Sequence, residues 1–266
     1  MTRRSAVGVG RTRVPLGTAY AVMLVLLYFP VALLFLFSFN ANTVLAFPLR
    51  GLTLDWYADA LGDGALLGAA RNSVIVAAAS ATVATAIGFA VSIATTRFRF
   101  RSRLGLLSLA ILPLIVPFVV FGVSLFLLFS FVDVPRSLLT IAAGHTVIAL
   151  PFATLIILAR VSGLDPQLED AAMDLGATYP TTLRRVVLPL IGSTLLSAWL
   201  TCFIVSFDEV AIALFLAGGD PTFPVFLYGQ LRFAQRLPVL IAMAVMLMVG
   251  TVALTLIAFR LARRRP

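Results

Sequence analysis

Few side chains in this sequence can do chemistry, and those few sit in unusual places. Only 12% of the 266 residues are charged, and there is one His, His145, and one Cys, Cys202. An acidic pair, Asp208 and Glu209 in "SFDEV", and an acidic cluster in "LEDAAMDLG", residues 168–176, interrupt otherwise apolar sequence. His145 with a nearby serine would serve the nucleophilic attack of an intramembrane hydrolase. However, "FGVSL", around Ser124, lacks the glycine-flanked turn that presents a nucleophile. One Cys and one His make neither a His/Cys metal cluster nor an internal disulfide. Lys is absent altogether, which removes the P-loop lysine and Schiff-base chemistry. No catalytic residue, metal or cofactor is expected in this chain, and any ATP it depends on must bind to another subunit.

The elements that position these residues are dictated by composition. With 61% hydrophobic residues and a mean hydropathy of +1.07, the chain has too little polar surface to cover a water-soluble globule. It reads as an all-α membrane protein. A ~30 Å hydrocarbon core needs roughly 20 helical residues, and six apolar runs meet or approach that length: Leu16–Phe39, Val74–Thr95, Leu104–Phe131, Leu138–Ala159, Leu190–Phe207 and Pro238–Phe259. The first run exceeds the roughly 7–15 apolar residues of a signal peptide and is expected to be retained. No internal repeat or low-complexity segment is visible. The sequence therefore divides into 1–67 (tail, first helix and a loop), 68–260 (the transmembrane domain, with a polar connection at 160–189), and a basic tail at 261–266.

The formal charge of +9 is explained by topology. All twenty basic residues are Arg, and they cluster at Arg3–Arg13, Arg97–Arg103, Arg160–Arg185 and Arg260–Arg265. Only Arg50, Arg71, Arg136, Arg232 and Arg236 fall in the alternate loops. Arg-rich short loops stay cytoplasmic, so both termini are placed inside. Anionic lipid, rather than nucleic acid, is the basic partner's counterpart.

Three local features refine this picture. In "GLTLDWYADAL", residues 51–61, Trp56 and Tyr57 sit where interfacial aromatics belong, and a membrane-surface helix is expected there. Ala69, Ser73, Ala77, Ala81 and Thr85 recur every four residues, a small-residue stripe that lets another helix approach. Pro113 and Pro117 remove backbone donors from the third run, giving either a kink that lines a cavity or plain packing.

The cluster at 168–176 reads as a short surface helix. Asp165 can cap it, Pro166 opens its first turn, and Glu169 and Asp170 lie near its positive end. Leu168, Ala171, Ala172 and Leu175 share one apolar face with the acids turned away, and Gly176 ends it. A second short helix can begin at Pro180 before the chain re-enters the bilayer at Leu188–Leu190. So short a helix is unstable alone, and its apolar face needs a partner.

"DAAMDLG", Asp170–Gly176, followed after nine residues by "VVLP", Val186–Pro189, resembles the EAA loop of ABC-importer permeases, whose pattern is E-A-A, three residues, G, nine residues, I-x-L-P. The spacing matches throughout, with Asp170 in place of Glu, Glu169 directly before it, and Val186 in place of Ile. "LTLDWY", "RNSVIVAAASATVATAIG", "GHTVIALPF" and "SFDEVAIALFLAGG" are similar to segments of the polyamine-type permeases, in particular the C-type spermidine/putrescine subunit. The resemblance implies a six-helix type I importer permease in the bacterial inner membrane. It would pair with a second permease subunit, two cytoplasmic ATPase subunits and a periplasmic solute-binding protein. The coupling loop would comprise Leu168, Glu169, Asp170, Ala171, Ala172, Leu175, Gly176, Val186, Leu188 and Pro189, with the apolar face seated in a groove of the ATPase. Permeases for other small solutes, and secondary transporters, are the alternatives; the latter usually carry repeats and intramembrane charges.

Asp208 lies 18 residues beyond Leu190, or about 27 Å along a helix, near the external face. Asp208 and Glu209 either mark the end of the fifth helix or, with Asp133 and Asp220, give an external vestibule a negative field for a cationic cargo. His145 is either a packing residue or a polar group lining the substrate pathway. The Arg asymmetry makes a topology testable: reporter fusions after Arg99 and Arg184 should read cytoplasmic, and fusions after Asp59 and Asp220 external. A cytoplasmic signal at Asp59 would contradict it.

Overall fold

The computed structural model describes residues 16–263; Arg3, Arg4, Arg11 and Arg13, and Arg264 and Arg265 of the basic tail, lie outside the described residues. Within that range the chain is helical apart from turns, loops and one isolated bridge between Asn40 and Leu52. Four helices are long and apolar enough to cross a membrane uninterrupted: α1 (Leu16–Phe37), α3 (Gly64–Arg97), α6 (Leu138–Ser162) and α13 (Leu237–Arg263).

The third run, expected as a single helix, is broken, while the fifth stays one helix and meets the segment before it at a sharp bend. The third is α4 (Arg103–Ile111), a 3₁₀ turn at Leu112–Leu114, and α5 (Phe118–Phe131), with the two halves bent by 105°. The chain leaves helical angles at Pro117, whose ψ is 131°, and Pro113 lies in the tight turn just before it; each lacks the N–H that would continue the ladder. The fifth joins Tyr179–Leu190 to α10 (Gly192–Phe207) at 73°. Its first part holds α8 (Tyr179–Thr182), a π-helical turn at Leu183–Val187, and α9 (Leu188–Leu190) with Pro189 at its start. After α10 the chain forms α11 (Ala211–Leu216) and α12 (Phe223–Gln230), both too short to span.

Helix α3 runs for 34 residues, about 51 Å, and starts ten residues before the apolar run that announced it. Asp63 accounts for the early start, since its side chain accepts from Ala65 N and Leu66 N at 3.0 Å. Helix α6 lies along it. The expected small-residue stripe is buried here, with Ala77 and Ala81 fully so. At Gly88 a methyl group would lie 2.8 Å from Ala153 Cβ and 2.9 Å from Thr154 N. Ser80 Oγ and Ser92 Oγ cross the interface, donating to Ala142 O at 3.1 Å and Thr154 O at 3.2 Å. Without a hydrophobic force between helices in lipid, this close backbone approach supplies the packing. Helix α10 covers the pair: Ala198, Cys202, Phe203 and Phe207 join Ala84, Ala149 and Ala153 in one core.

The loop after α1 forms the expected short helix, α2 (Asp55–Gly62). Its aromatics, expected at the lipid interface, hydrogen-bond to the end of α1. Trp56 Nε1 donates to Asn40 O at 2.8 Å, and Tyr57 Oη shares a 2.6 Å hydrogen bond with Ser38 Oγ. An indole or phenol beside a free acceptor satisfies itself there first. Helix α1 leans on α13 and otherwise exposes its apolar side chains, from Tyr20 to Leu36, as a lipid-facing helix does.

Gly88→Ala should lower thermal stability in detergent by ~1–3 kcal/mol, because the neighbours it meets include backbone. Gly68→Ala, which meets nothing within 4 Å, should hold or raise it. Equal stability of Gly88→Ala and the wild type would contradict the close contact.

Candidate functional site

The polar devices fall in two places, α7 and the turn that follows α10. At the arginine-rich end, α7 (Gln167–Asp174) follows the turn at 163–166. Asp165 Oδ1 accepts from Gln167 N at 3.0 Å, so Asp165 steadies the first turn while Pro166 occupies the cap position. Gly176 ends the helix with φ +89°, a left-handed conformation that costs glycine least. Gly176 N donates to Met173 O and Ala177 N to Ala172 O.

The expected apolar face is present and open: Leu168 is 48% and Leu175 90% exposed, Ala171 is exposed and Ala172 half-buried. Asp170 and Asp174 are exposed. Glu169 does not follow them. It turns into the bundle, 6% exposed, where Arg97 Nε donates to its Oε1 at 2.7 Å. Arg97 Nη2 also donates to Leu164 O at 3.4 Å, and Phe98 meets Tyr179 edge to face with centroids 5.5 Å apart. Glu169 thus turns away from the open apolar face, as the acids were expected to, and does so into the bundle as a buried anchor. The motif's distal part, Val186, Leu188 and Pro189, lies on the π-helical turn and α9 leading back to α10.

Deeper in the bundle, beside the middle of α13, α10 stops at Phe207 and Asp208 and Glu209 diverge. Asp208 is exposed. It lines a groove of about 310 Å³ with Ile204, Phe207, Thr251 and Thr255, and another of about 330 Å³ with Phe223, Leu247 and Met248. A larger hollow of about 570 Å³ is walled by α1 side chains alone and is almost wholly apolar, so it belongs to the lipid-facing surface. Glu209 is buried and caps α11: its carboxylate accepts from Ile212 N at 2.9 and 3.0 Å and from Ala213 N at 3.1 Å. His145 on α6 is completely buried. Its Nδ1 shares a 2.8 Å hydrogen bond with Ser206 Oγ. Its Nε2 lies 3.0 Å from Glu209 Oε2, near enough for charge pairing but without hydrogen-bond alignment.

Two expectations about the external vestibule change accordingly. Glu209 and His145 form a buried clip between α6 and the α10–α11 turn, and neither faces open space. Asp208 alone of the acidic pair does. Asp133 sits in a turn with φ 55° after α5, and Asp220 is exposed. The sequence concealed both inward acids, since Glu169 and Arg97 are 72 residues apart and His145 and Ser206 are 61 apart. Among the described residues no three His, Cys, Asp or Glu side chains gather as metal ligands.

Residues 84–265 match the model of the binding-protein-dependent transport system inner membrane component family. The chain belongs to that family. It is 33% identical over 192 residues to the spermidine/putrescine transport system permease protein PotC of Haemophilus influenzae, covering 72% of this chain and 74% of that protein. It is 34% identical over 214 residues to the putrescine transport system permease protein PotI of Escherichia coli K12, covering 77% and 76%. The fold is that of a bacterial ABC transporter involved in the import of the acidic polysaccharide alginate, with a TM-score of 0.72 and 15% identity over 93% of both chains. The protein is a multi-pass membrane permease subunit of an ABC importer with a type I permease fold, and a transport component rather than an enzyme. 

Glu209→Ala would orphan two α11 amides and His145, at ~1–3 kcal/mol per buried unpaired group, and should markedly lower the detergent melting point. Glu209→Gln, which keeps an acceptor oxygen, should lose less. A Glu209→Ala variant as stable as the wild type would refute the capping role.

Proposed function

We propose that this permease forms half of the translocation pore of an ATP-driven importer for a small organic polycation of the polyamine class. A second permease subunit completes the pore, two cytoplasmic ATPase subunits drive it, and a periplasmic solute-binding protein delivers the cargo. The chain crosses the bacterial cytoplasmic membrane six times with both termini inside, each bent pair counting as one crossing; the Arg asymmetry supports this. Residues 68–260 are its transmembrane domain, and 160–189 its coupling loop.

The open apolar face of α7 carries the coupling reading. Leu175 is 90% exposed on a segment that lies outside the long spans, at the Arg-rich end. An isolated helix of 8 residues does not persist in water, and large exposed apolar side chains mark a docking surface. In this reading Leu168, Ala171, Ala172 and Leu175 seat in a groove of the ATPase, and Asp170 meets donors at its rim.

The cargo reading rests on the polyamine permeases among the relatives and on Asp208. Its carboxylate is exposed beside an apolar groove framed by Phe207, Phe223 and Leu247, a combination suited to an ammonium group on a methylene chain. Asp208 is therefore the substrate-pathway residue proposed here, and His145 and Glu209 support it from behind.

A different small solute is the second reading. It draws on a 35% identity over 168 residues to a probable molybdenum ABC transporter permease protein of Haloferax volcanii, covering 60% of this chain and 62% of that one.

Uptake by the complete importer decides between them. Putrescine or spermidine should compete for uptake in the wild type, and Asp208→Asn should slow polyamine uptake about tenfold or more while the complex still assembles. Unchanged uptake in that variant, or selective competition by an oxyanion, would favour the second reading.

A further inference from the structure

The Arg97–Glu169 pair occupies a place that the docking of α7 does not require. Arg97 is the last residue of α3, and the pair is nearly buried, with side chains 13% and 8% exposed. Removing one partner of such a pair strands a charge away from water, so it holds firmly. Through it α7 is fastened to α3, a helix that is not its neighbour in sequence.

The other end of α3 is fastened as well. Asn72 Nδ2 donates to Pro221 O at 3.1 Å, and Ser73 Oγ accepts from Phe223 N at 2.8 Å. Asp63, the α3 cap, forms an ion pair with Arg236. Phe223 begins α12 and walls the groove that Asp208 lines. Between Ser73 and Arg97 lie about 36 Å of helix, with no proline and no break. Two other routes from the coupling loop are bent, α4–α5 by 105° and the α8–α10 path by 73°, and α6, though continuous, carries Pro151, which removes one donor from its ladder.

We propose that the Arg97–Glu169 ion pair makes α3 a strut, which delivers displacement of α7 to the Pro221–Phe223 segment and so to the Asp208 groove. Arg97 and Glu169 are positioning residues: neither touches cargo or ATP. The inference rests on the reading that α7 seats on the ATPase, and adds the path by which that contact is felt at the far end. Such a path requires coupling measurements rather than proximity alone.

The complete importer, reconstituted with its ATPase subunits and binding protein, provides them as ATP hydrolysed per solute imported. Glu169→Gln and Arg97→Gln should each raise this ratio about three- to tenfold with the ATPase still bound. The exchanged pair, Arg97→Glu with Glu169→Arg, should return it most of the way to the wild-type value. Asn72→Leu combined with Ser73→Ala, at the far end, should raise it similarly. An unchanged ratio in the single variants, no recovery in the exchange, or an unaffected far-end variant would overturn the strut. Loss of the ATPase from Glu169→Gln would overturn it too, by showing that Glu169 serves docking directly. If the wild type itself retained no ATPase, the docking reading and the strut would fall together.

Discussion

The contact between α3 and α6 at Gly88 and Ala153 is the constraint on which the rest of the bundle depends. In lipid two helices gain nothing by hiding apolar surface from one another, so they must touch backbone to backbone to associate. Gly88 permits that approach, and Ser80 and Ser92 turn it into cross-helix hydrogen bonds. The result is a frame of two long helices, α3 and α6. Helix α10 closes over it, and the broken elements attach at its ends.

Those broken elements are subject to a second constraint. Every interrupted helix within a membrane protein must satisfy its freed backbone groups internally. At α11 a carboxylate does so, Glu209 binding two amides while His145 and Ser206 back it. Asp208, one residue earlier, is thereby left free to face the groove. The division of labour between two adjacent acids follows from where the helix ends, since one must serve the next helix's amides and the other need not. At the arginine-rich end the same logic separates Glu169, drawn to Arg97, from Asp170 and Asp174, which stay in the open beside the apolar face of α7.

Much of this was legible in the sequence, for physical reasons that also explain what was not. Runs of apolar residues betray spans because lipid tolerates little else, and the stripe from Ala69 to Thr85 betrays a packed face because only small residues permit it. The helix at 167–174 was legible from its 3.6-residue period, and its end from Gly176. The break in the third run was only half visible: Pro113 and Pro117 mark a weakness, but not the 105° angle or the packing of α5 on α11. The inward turns of Glu169 and Glu209 were invisible, because their partners lie far away along the chain and only the assembled frame brings them near. The partners of Trp56 and Tyr57 were hidden for the same reason: Asn40 and Ser38 come within reach only when the loop folds back on the end of α1.

That α7 is built to be covered by a soluble partner, and not by lipid or by its own bundle, is the central claim, and a solvent-accessibility measurement tests it most directly. The single native cysteine, Cys202, is buried, so an environment-sensitive label at Leu175→Cys can be read with little background, with Asp59→Cys as the comparison at the other end. In membranes holding the permease pair alone, the label at 175 should be water-exposed. Adding the ATPase subunits should shield it while leaving the label at 59 unchanged. A label at 175 that reports lipid before the ATPase is added, or that stays exposed after the ATPase has bound, would contradict the account.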